Sequence, residues 1–208
     1  MGCRQAVRHS TLTAAFVGSN PATPAKFNST PKGVLLNLVR GISVNKSNIQ
    51  RCIMVNILFV CHGNICRSPM AEFVMKQMVQ EKGFFHKFNI ASAATSTEEI
   101  GNPVYPPVRR MLNEMGIDCS DKRAVQIKTS DYKIYDYIIC MDSNNLRNIR
   151  RIIPNDPLNK IYRLMDFTNN PHDVADPWYT GDFVLTKKNI EKGCSCLLDK
   201  IITENILK

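Results

Sequence analysis

The first 53 residues contain no aspartate or glutamate. They carry seven Lys or Arg (Arg4, Arg8, Lys26, Lys32, Arg40, Lys46 and Arg51), which leaves 20 of the 27 basic residues against all 18 acids in 54–208. The net charge of +9 is therefore concentrated at the front, and the remainder stands near +2. That distribution argues against a nucleic-acid partner, which would need its basic residues on the folded faces. Long apolar runs are also missing. None approaches the roughly 20 residues needed to span a bilayer. No compact apolar stretch with a small-residue cleavage site opens the chain, as a secretory signal would. The expectation is a cytoplasmic protein with no membrane partner. Cysteine is not scarce: Cys3, Cys52, Cys61, Cys66, Cys119, Cys140, Cys194 and Cys196 make an even count. Such a count implies disulfides in short secreted chains, so here the thiols are read as reduced.

Residues 1–53 lack sustained periodicity as well. Gly18-Ser19-Asn20-Pro21 and Ser29-Thr30-Pro31-Lys32-Gly33 are loop chemistry, and only Val34–Val39 is apolar enough to pack. The segment is read as a basic, disordered extension. Two alternatives stay open. One is translated sequence upstream of a true start at Met54. The other is a mitochondrial transit peptide, whose basic, acid-poor, Ser- and Thr-rich composition it shares.

From Met54 onward, 54–208 reads as one domain. Val55–Val60 is a short apolar run ending at Cys61-His62-Gly63, which predicts a buried strand. A helix follows from Ser68 to Glu81, with Ser68 as N-cap and Pro69 as first helical residue. Phe88–Ala94 predicts a second strand. Pro106 to Met115 is amphipathic and stops at Gly116. Tyr135–Met141 predicts a third strand, Ser143 to Ile153 a helix that stops before Pro154, and Lys160–Leu164 a short fourth strand. Asp182 to Ile206 predicts a long terminal helix. Strands alternating with helices imply an α/β domain with a parallel sheet covered on both faces. In such sheets ligands sit beyond the carboxyl ends of the strands.

The turn Cys61-His62-Gly63-Asn64-Ile65-Cys66-Arg67-Ser68 lies at that edge. It is a C-x5-R-S loop between a strand and a helix start. A loop wrapping onto a helix N-terminus points backbone N–H groups inward, and the helix dipole adds partial positive charge. That field suits a phosphate dianion and equally favours a nucleophilic thiolate on Cys61. The Ser68 hydroxyl can donate to the same sulfur. Arg67 offers a planar fork for two phosphate oxygens. Gly63 is expected to let the backbone turn without a Cβ clash, and Asn64 tolerates left-handed dihedrals while bracing the loop with its amide. His62, Gly63, Asn64, Ile65, Cys66 and Ser68 are thus the loop's substrate-binding candidates.

Val60 to Glu72, V-C-H-G-N-I-C-R-S-P-M-A-E, resembles the active-site signature of the low-molecular-weight protein tyrosine phosphatases. Ser92-Ala93-Ala94-Thr95-Ser96, Tyr137-Ile138-Ile139-Cys140-Met141-Asp142 and Asp176-Pro177-Trp178-Tyr179 follow in the family's order. The resemblance covers Val55 to Leu207 and leaves 1–53 outside. It implies a flavodoxin-like three-layer sandwich, a four-stranded parallel sheet of order 2-1-3-4, and no metal or organic cofactor. It implies a hydrolase acting on a phosphotyrosine-containing protein or a small aryl phosphate, through a phosphocysteine on Cys61. By the same resemblance Asp176 is the general acid, on a loop made extended by Pro177; Asp173 and Asp182 are its nearby competitors. Trp178 and Tyr179 would wall a slot for a phenyl ring, although the chain's single tryptophan could instead be a core aromatic. Thr97-Glu98-Glu99 would be the variable loop across the slot, and two acids there disfavour acidic substrate flanks. Ser92 would help hold Asn64.

Cys66 shares one tight loop with Cys61, five residues away, and is the candidate to close a reversible disulfide under peroxide. Its other reading is a thiol that only packs beneath the loop. Two rival enzymes share the scaffold. A protein arginine phosphatase typically has Thr where this chain has Ile65. A thioredoxin-coupled arsenate reductase needs two further redox cysteines; Cys140 lies near one such place, but none follows in Met141 to Asn148.

Overall fold

A computed structural model describes residues 54–206; the basic extension 1–53 and its alternatives lie outside the described residues. At the centre of the sheet is β1 (Val55–Cys61). It pairs with β2 (Phe88–Ala94) on one side and β3 (Tyr137–Cys140) on the other, and β3 pairs with β4 (Ile161–Arg163). All three pairings are parallel, and the order is β2-β1-β3-β4. The helices are α1 (Arg67–Glu81), α2 (Pro106–Glu114), α3 (Asp131–Ile134), α4 (Ser143–Ile152), α5 (Pro177–Thr180) and α6 (Phe183–Ile201). This is the flavodoxin-like sandwich expected from the sequence.

The period of two along β1 builds the layers. Val55, Ile57, Phe59 and Cys61 face a core completed by Met70, Val74 and Met75 of α1 and Ile190, Cys194 and Leu197 of α6. Leu58 and Val60 face the other way, against Ile138, Cys140, Ile149 and Ile153, with Tyr132 of α3 packed alongside. A central parallel strand is covered on both sides, so its apolar run is continuous rather than alternating. Phe59 and Ile57 have no exposed surface, and each such side chain gains about 1.5–3 kcal/mol on leaving water. α6 approaches the turn after β4 closely at Gly193, where a Cβ would stand 2.5 Å from Leu164 Cγ. Only glycine fits there without moving Leu164.

Register sets where the chemistry can sit. Cys61 lies opposite Ala94, and Val60 opposite Cys140. The segments leaving β1, β2 and β3 therefore emerge at one edge of the sheet.

Several boundaries differ from expectation, each for a local reason. Ser68 is not the N-cap. The first helical residue is Arg67, two before Pro69, Cys66 is the cap, and no side chain caps the first turn. Pro69 is then the third helical residue, where its missing N–H still costs no intrahelical bond. Tyr135 and Asp136 are lost from the third strand: Tyr135 ends α3, and the Asp136 carboxylate accepts from the Asn56 N–H at 2.8 Å. Leu164 opens a 3₁₀ turn, Leu164–Phe167, instead of extending β4. Asp182 is the N-cap of α6, and after Ile201 the helix passes into one π-helical turn, Ile202–Ile206. The short helices α3 and α5 carry no periodicity signal in one turn and were not expected. No helix among the described residues is long and apolar enough to cross a membrane.

Candidate active site

Cys61 ends β1, and its thiol is nearly buried. Two groups contact its sulfur: the Asn64 N–H at 3.3 Å and the Ser68 hydroxyl at 3.1 Å. The loop is tied from outside through its carbonyls. Thr95 N–H donates to Cys61 O at 2.9 Å, Ser96 N–H to His62 O at 3.0 Å, and Tyr105 N–H to Ile65 O at 2.9 Å. With these carbonyls bonded elsewhere, they are turned away from the sulfur.

Asn64 adopts φ 58° and is buried, as an asparagine in the left-handed region can be. Its amide nitrogen donates to Ser68 Oγ at 2.9 Å and to Ser92 Oγ at 2.8 Å, while its oxygen accepts from Val125 N–H at 3.1 Å. Ser92 in turn donates to Glu72 Oε2 at 2.6 Å. Glu72 is buried and pairs with Lys122 at 2.9 Å and Lys76 at 2.5 Å. Burial alone would raise the Glu72 carboxyl, but Lys122 and Lys76 outweigh it and hold the group below the usual carboxylate range. A carboxylate held between two lysines thus anchors the asparagine that shapes the loop. Sequence reasoning missed Glu72 as a support; its signal was a lone acid among the apolar Met70, Ala71, Val74 and Met75.

Gly63 avoids a Cβ clash, as expected: its φ is not positive, and a Cβ there would meet Glu99 Cγ at 3.0 Å. Glycine lets the Glu99 side chain lie against the loop.

Arg67 is almost wholly buried. Nη1 donates to Asp142 Oδ2 at 2.5 Å and to Val174 O at 3.0 Å, and Nη2 donates to Asp176 Oδ2. Burial opposes its charge, but Cys61, Asp176 and Asp142 overcome that and raise the guanidinium above its ordinary value. Of its five N–H donors, three are used in this way. The Nε–H and the second Nη2–H remain, and they form the side of the fork that can grip two oxygens of one phosphate. Asp142, which sequence reasoning did not single out as a partner, divides its carboxylate: Oδ1 caps α4 by accepting from Asn145 N–H at 2.6 Å, and Oδ2 holds Arg67. Its signal was an acid directly after a strand at the sheet's carboxyl edge.

Asp176 does not sit on an open loop. It is the N-cap of α5, accepting from Trp178 N–H at 3.1 Å, with Pro177 in the first helical position. Its competitors are occupied elsewhere. Asp173 pairs with Arg163 at 2.9 Å and with Ser143 at 3.0 Å, and Asp182 caps α6 through Leu185 N–H at 2.8 Å.

A cleft of about 190 Å³ opens over the loop, lined by Cys61, His62, Gly63, Ile65, Cys66 and Arg67 below and by Glu98, Glu99, Asp176, Trp178 and Tyr179 at its sides. Trp178 is 59% exposed, so it is not a core aromatic. His62 Nε2 meets Glu98 Oε2 at 3.0 Å at the rim. Cys66 lines the cleft but packs with the core, and burial, with Cys61 and Asp176 nearby, pushes its thiol up to about 12. Cys140 is sealed in the second core, where burial raises its thiol. The six described cysteines are free thiols. Among the described residues no three His, Cys, Asp or Glu side chains gather as they would around a metal ion.

Residues 56–206 match the family described as low molecular weight phosphotyrosine protein phosphatase. The chain belongs to this family. The low molecular weight phosphatase YfkJ of Bacillus subtilis is 37% identical over 156 residues, covering 74% of this chain and all of YfkJ. PtpA of Staphylococcus aureus strain Newman is 34% identical over 156 residues, covering 74% of this chain and 99% of PtpA. The crystal structure of YfkJ superposes with a TM-score of 0.71 over 73% of this chain and 97% of YfkJ. That of SP-PTP, the low molecular weight protein tyrosine phosphatase of Streptococcus pyogenes, is 39% identical with a TM-score of 0.65, over 74% of this chain and 97% of the other. Membership makes this chain a phosphatase, and the phosphatase match begins at the sheet and leaves the basic extension outside.

Proposed function

We propose that this phosphatase hydrolyses phosphotyrosine in proteins, or small aryl phosphates, through a cysteinyl-phosphate on Cys61, in the cytoplasm. The observation that carries the reading is the convergence, in one cleft, of the Cys61 thiol, the unused side of the Arg67 fork and the Asp176 carboxyl. The Cys61 sulfur attacks phosphorus as the bond to the aryl oxygen breaks, and protonated Asp176 delivers its proton to that oxygen. Arg67 and the loop amides from His62 to Arg67 hold the three remaining oxygens. In the second step the Asp176 carboxylate takes a proton from water while the water oxygen attacks phosphorus. The P–S bond breaks, and the thiolate returns beside Ser68 and Asn64. Trp178 and Tyr179 offer ring faces to a phenyl group. Ile65 at the cleft floor supports an aryl ester over phosphoarginine, the substrate class of the nearest rival enzyme. The test is hydrolysis of matched phosphotyrosine, phosphoserine and phosphoarginine peptides by the full chain. Phosphotyrosine should be cleaved fastest; faster release from the phosphoarginine peptide would replace this reading with the arginine phosphatase one.

Cys66 is assigned a protective redox role beside that reaction. Peroxide oxidises the Cys61 thiolate to the sulfenic acid, and the Cys66 sulfur then displaces the sulfenic oxygen as water, closing an S–S bond. A Cys66 thiol pushed up to about 12 is almost wholly protonated at neutral pH and a poor target for peroxide. Closure should speed up as pH rises, because only the Cys66 thiolate attacks. The expected outcome is a Cys61–Cys66 link by mass spectrometry after mild peroxide. Cys66→Ser should keep its uninhibited rate yet recover poorly with added thiol. Sulfinic acid alone at Cys61, with equal recovery of the variant, would reduce Cys66 to a packing residue.

A further inference from the structure

Beside the cleft, Tyr105 makes three contacts in three directions. Its N–H donates to the Ile65 carbonyl of the phosphate loop at 2.9 Å. Its ring lies 5.4 Å from that of Trp178, tilted by 59°. The same ring stacks on Phe183, the first residue of α6, at 6.0 Å and 26°. Tyr105 is itself fixed as the N-cap of α2, its carbonyl accepting from Arg109 N–H at 3.0 Å.

What it touches in α5 is weakly held. α5 is four residues long, and of these only Pro177 is buried. Trp178, Tyr179 and Thr180 are exposed, and Gly181, at φ 71°, separates the turn from α6. Single turns of this kind have no cooperative stability of their own. The Asp176 carboxyl is bonded to Trp178 through the backbone N–H. The carboxyl is thus tied to the backbone that carries the indole, and the indole rests on Tyr105.

We infer that Tyr105 is a positioning residue that sets where the Asp176 carboxyl stands above the phosphate loop, acting through the Trp178 ring. The inference rests on the reading of Asp176 as general acid. The ring carries the effect and the hydroxyl does not, since the contacts to Trp178 and Phe183 are ring contacts. Without the ring, Asp176 keeps its Arg67 bond, but α5 loses the contact that fixes the angle at which the carboxyl faces the leaving oxygen. Proton delivery to the leaving oxygen is then impaired, while phosphate capture by Arg67 and the loop amides is untouched.

The experiment measures kcat/KM on phenyl phosphate, a poor leaving group, and on 2,4-dinitrophenyl phosphate, an activated one. It also measures inhibition by inorganic phosphate. Wild type, Tyr105→Phe, Tyr105→Leu and Asp176→Asn are compared as full chains. Tyr105→Leu should lower kcat/KM for phenyl phosphate by about 10–30-fold, within the range that a misplacement near 1 Å costs. It should leave the activated ester and the phosphate Ki close to wild type. Tyr105→Phe should match wild type on all three. If Tyr105→Leu does not fold, Tyr105→His, which keeps a smaller ring, should show the same selective loss at lower amplitude. Equal loss on both esters, no loss at all, a raised phosphate Ki, or a Phe variant as impaired as the Leu variant would each overturn the inference. Asp176→Asn separates the two levels. If it is selective for the poor leaving group and Tyr105→Leu is not, only the role of Tyr105 fails. If Asp176→Asn affects both esters alike, the general-acid reading fails and takes this inference with it.

Discussion

Replacing Cys61 with serine should remove turnover, by about 10⁴–10⁶-fold, the scale on which enzymes lose a covalent nucleophile. Inorganic phosphate should still bind with near wild-type affinity in calorimetry. The two halves of the result come from different atoms. The bond to phosphorus needs the sulfur, whereas the anion is held by Arg67 and by amides whose carbonyls are pinned by Thr95, Ser96 and Tyr105. None of these depends on sulfur. A serine hydroxyl is smaller and can still bond to Ser68 and the Asn64 N–H. A serine variant that keeps more than a few per cent of activity would remove Cys61 from the reaction. One that neither turns over nor binds phosphate would mean that the thiol shapes the loop.

Asp176→Asn should lower kcat/KM for phenyl phosphate or phosphotyrosine by about 10²–10³-fold, the range for lost acid catalysis. For an activated aryl ester the loss should be small, because that leaving group needs little protonation. Asparagine is also a good N-cap, so α5 should keep its start and the substitution should act on chemistry rather than on folding. The variant keeps an acceptor oxygen for Arg67 Nη2 but removes the negative charge beside the anion site. Inorganic phosphate should therefore inhibit the variant more tightly than the wild type. Uniform loss across leaving groups, or weaker phosphate inhibition, would count against the assignment.

The sheet was legible because its residues obey simple periods. Ile57–Val60 is apolar throughout because both faces of β1 are covered, and strand–helix alternation then dictates a parallel sheet. The loop was legible because C-x5-R-S is compact in sequence. What escaped was whatever depends on residues far apart in the chain. Asp142 reaches Arg67 across 75 residues, and Lys122 reaches Glu72 across 50. No local pattern announces such a meeting. Tyr105 escaped because a half-buried aromatic before two prolines looks like an ordinary helix start. At Gly63 the expected Cβ clash is real, but its partner, the Glu99 side chain 36 residues on, could not be named from the loop alone. Helix α5 was hidden because a single turn cannot show a period.

The pairing of Arg67 with Asp142 and Asp176 also bears on how the product leaves. A buried guanidinium deserted by its anion would be costly, because its charge would face a low-dielectric wall alone. Here Asp142 is hydrogen-bonded to Nη1 and Asp176 to Nη2. Orthophosphate therefore leaves a guanidinium that two carboxylates already hold, and its departure strands no bare cation. The same carboxylates weaken the grip on free phosphate. A site that must bind a dianion for chemistry and then release it as a smaller one thereby avoids being inhibited by its own product.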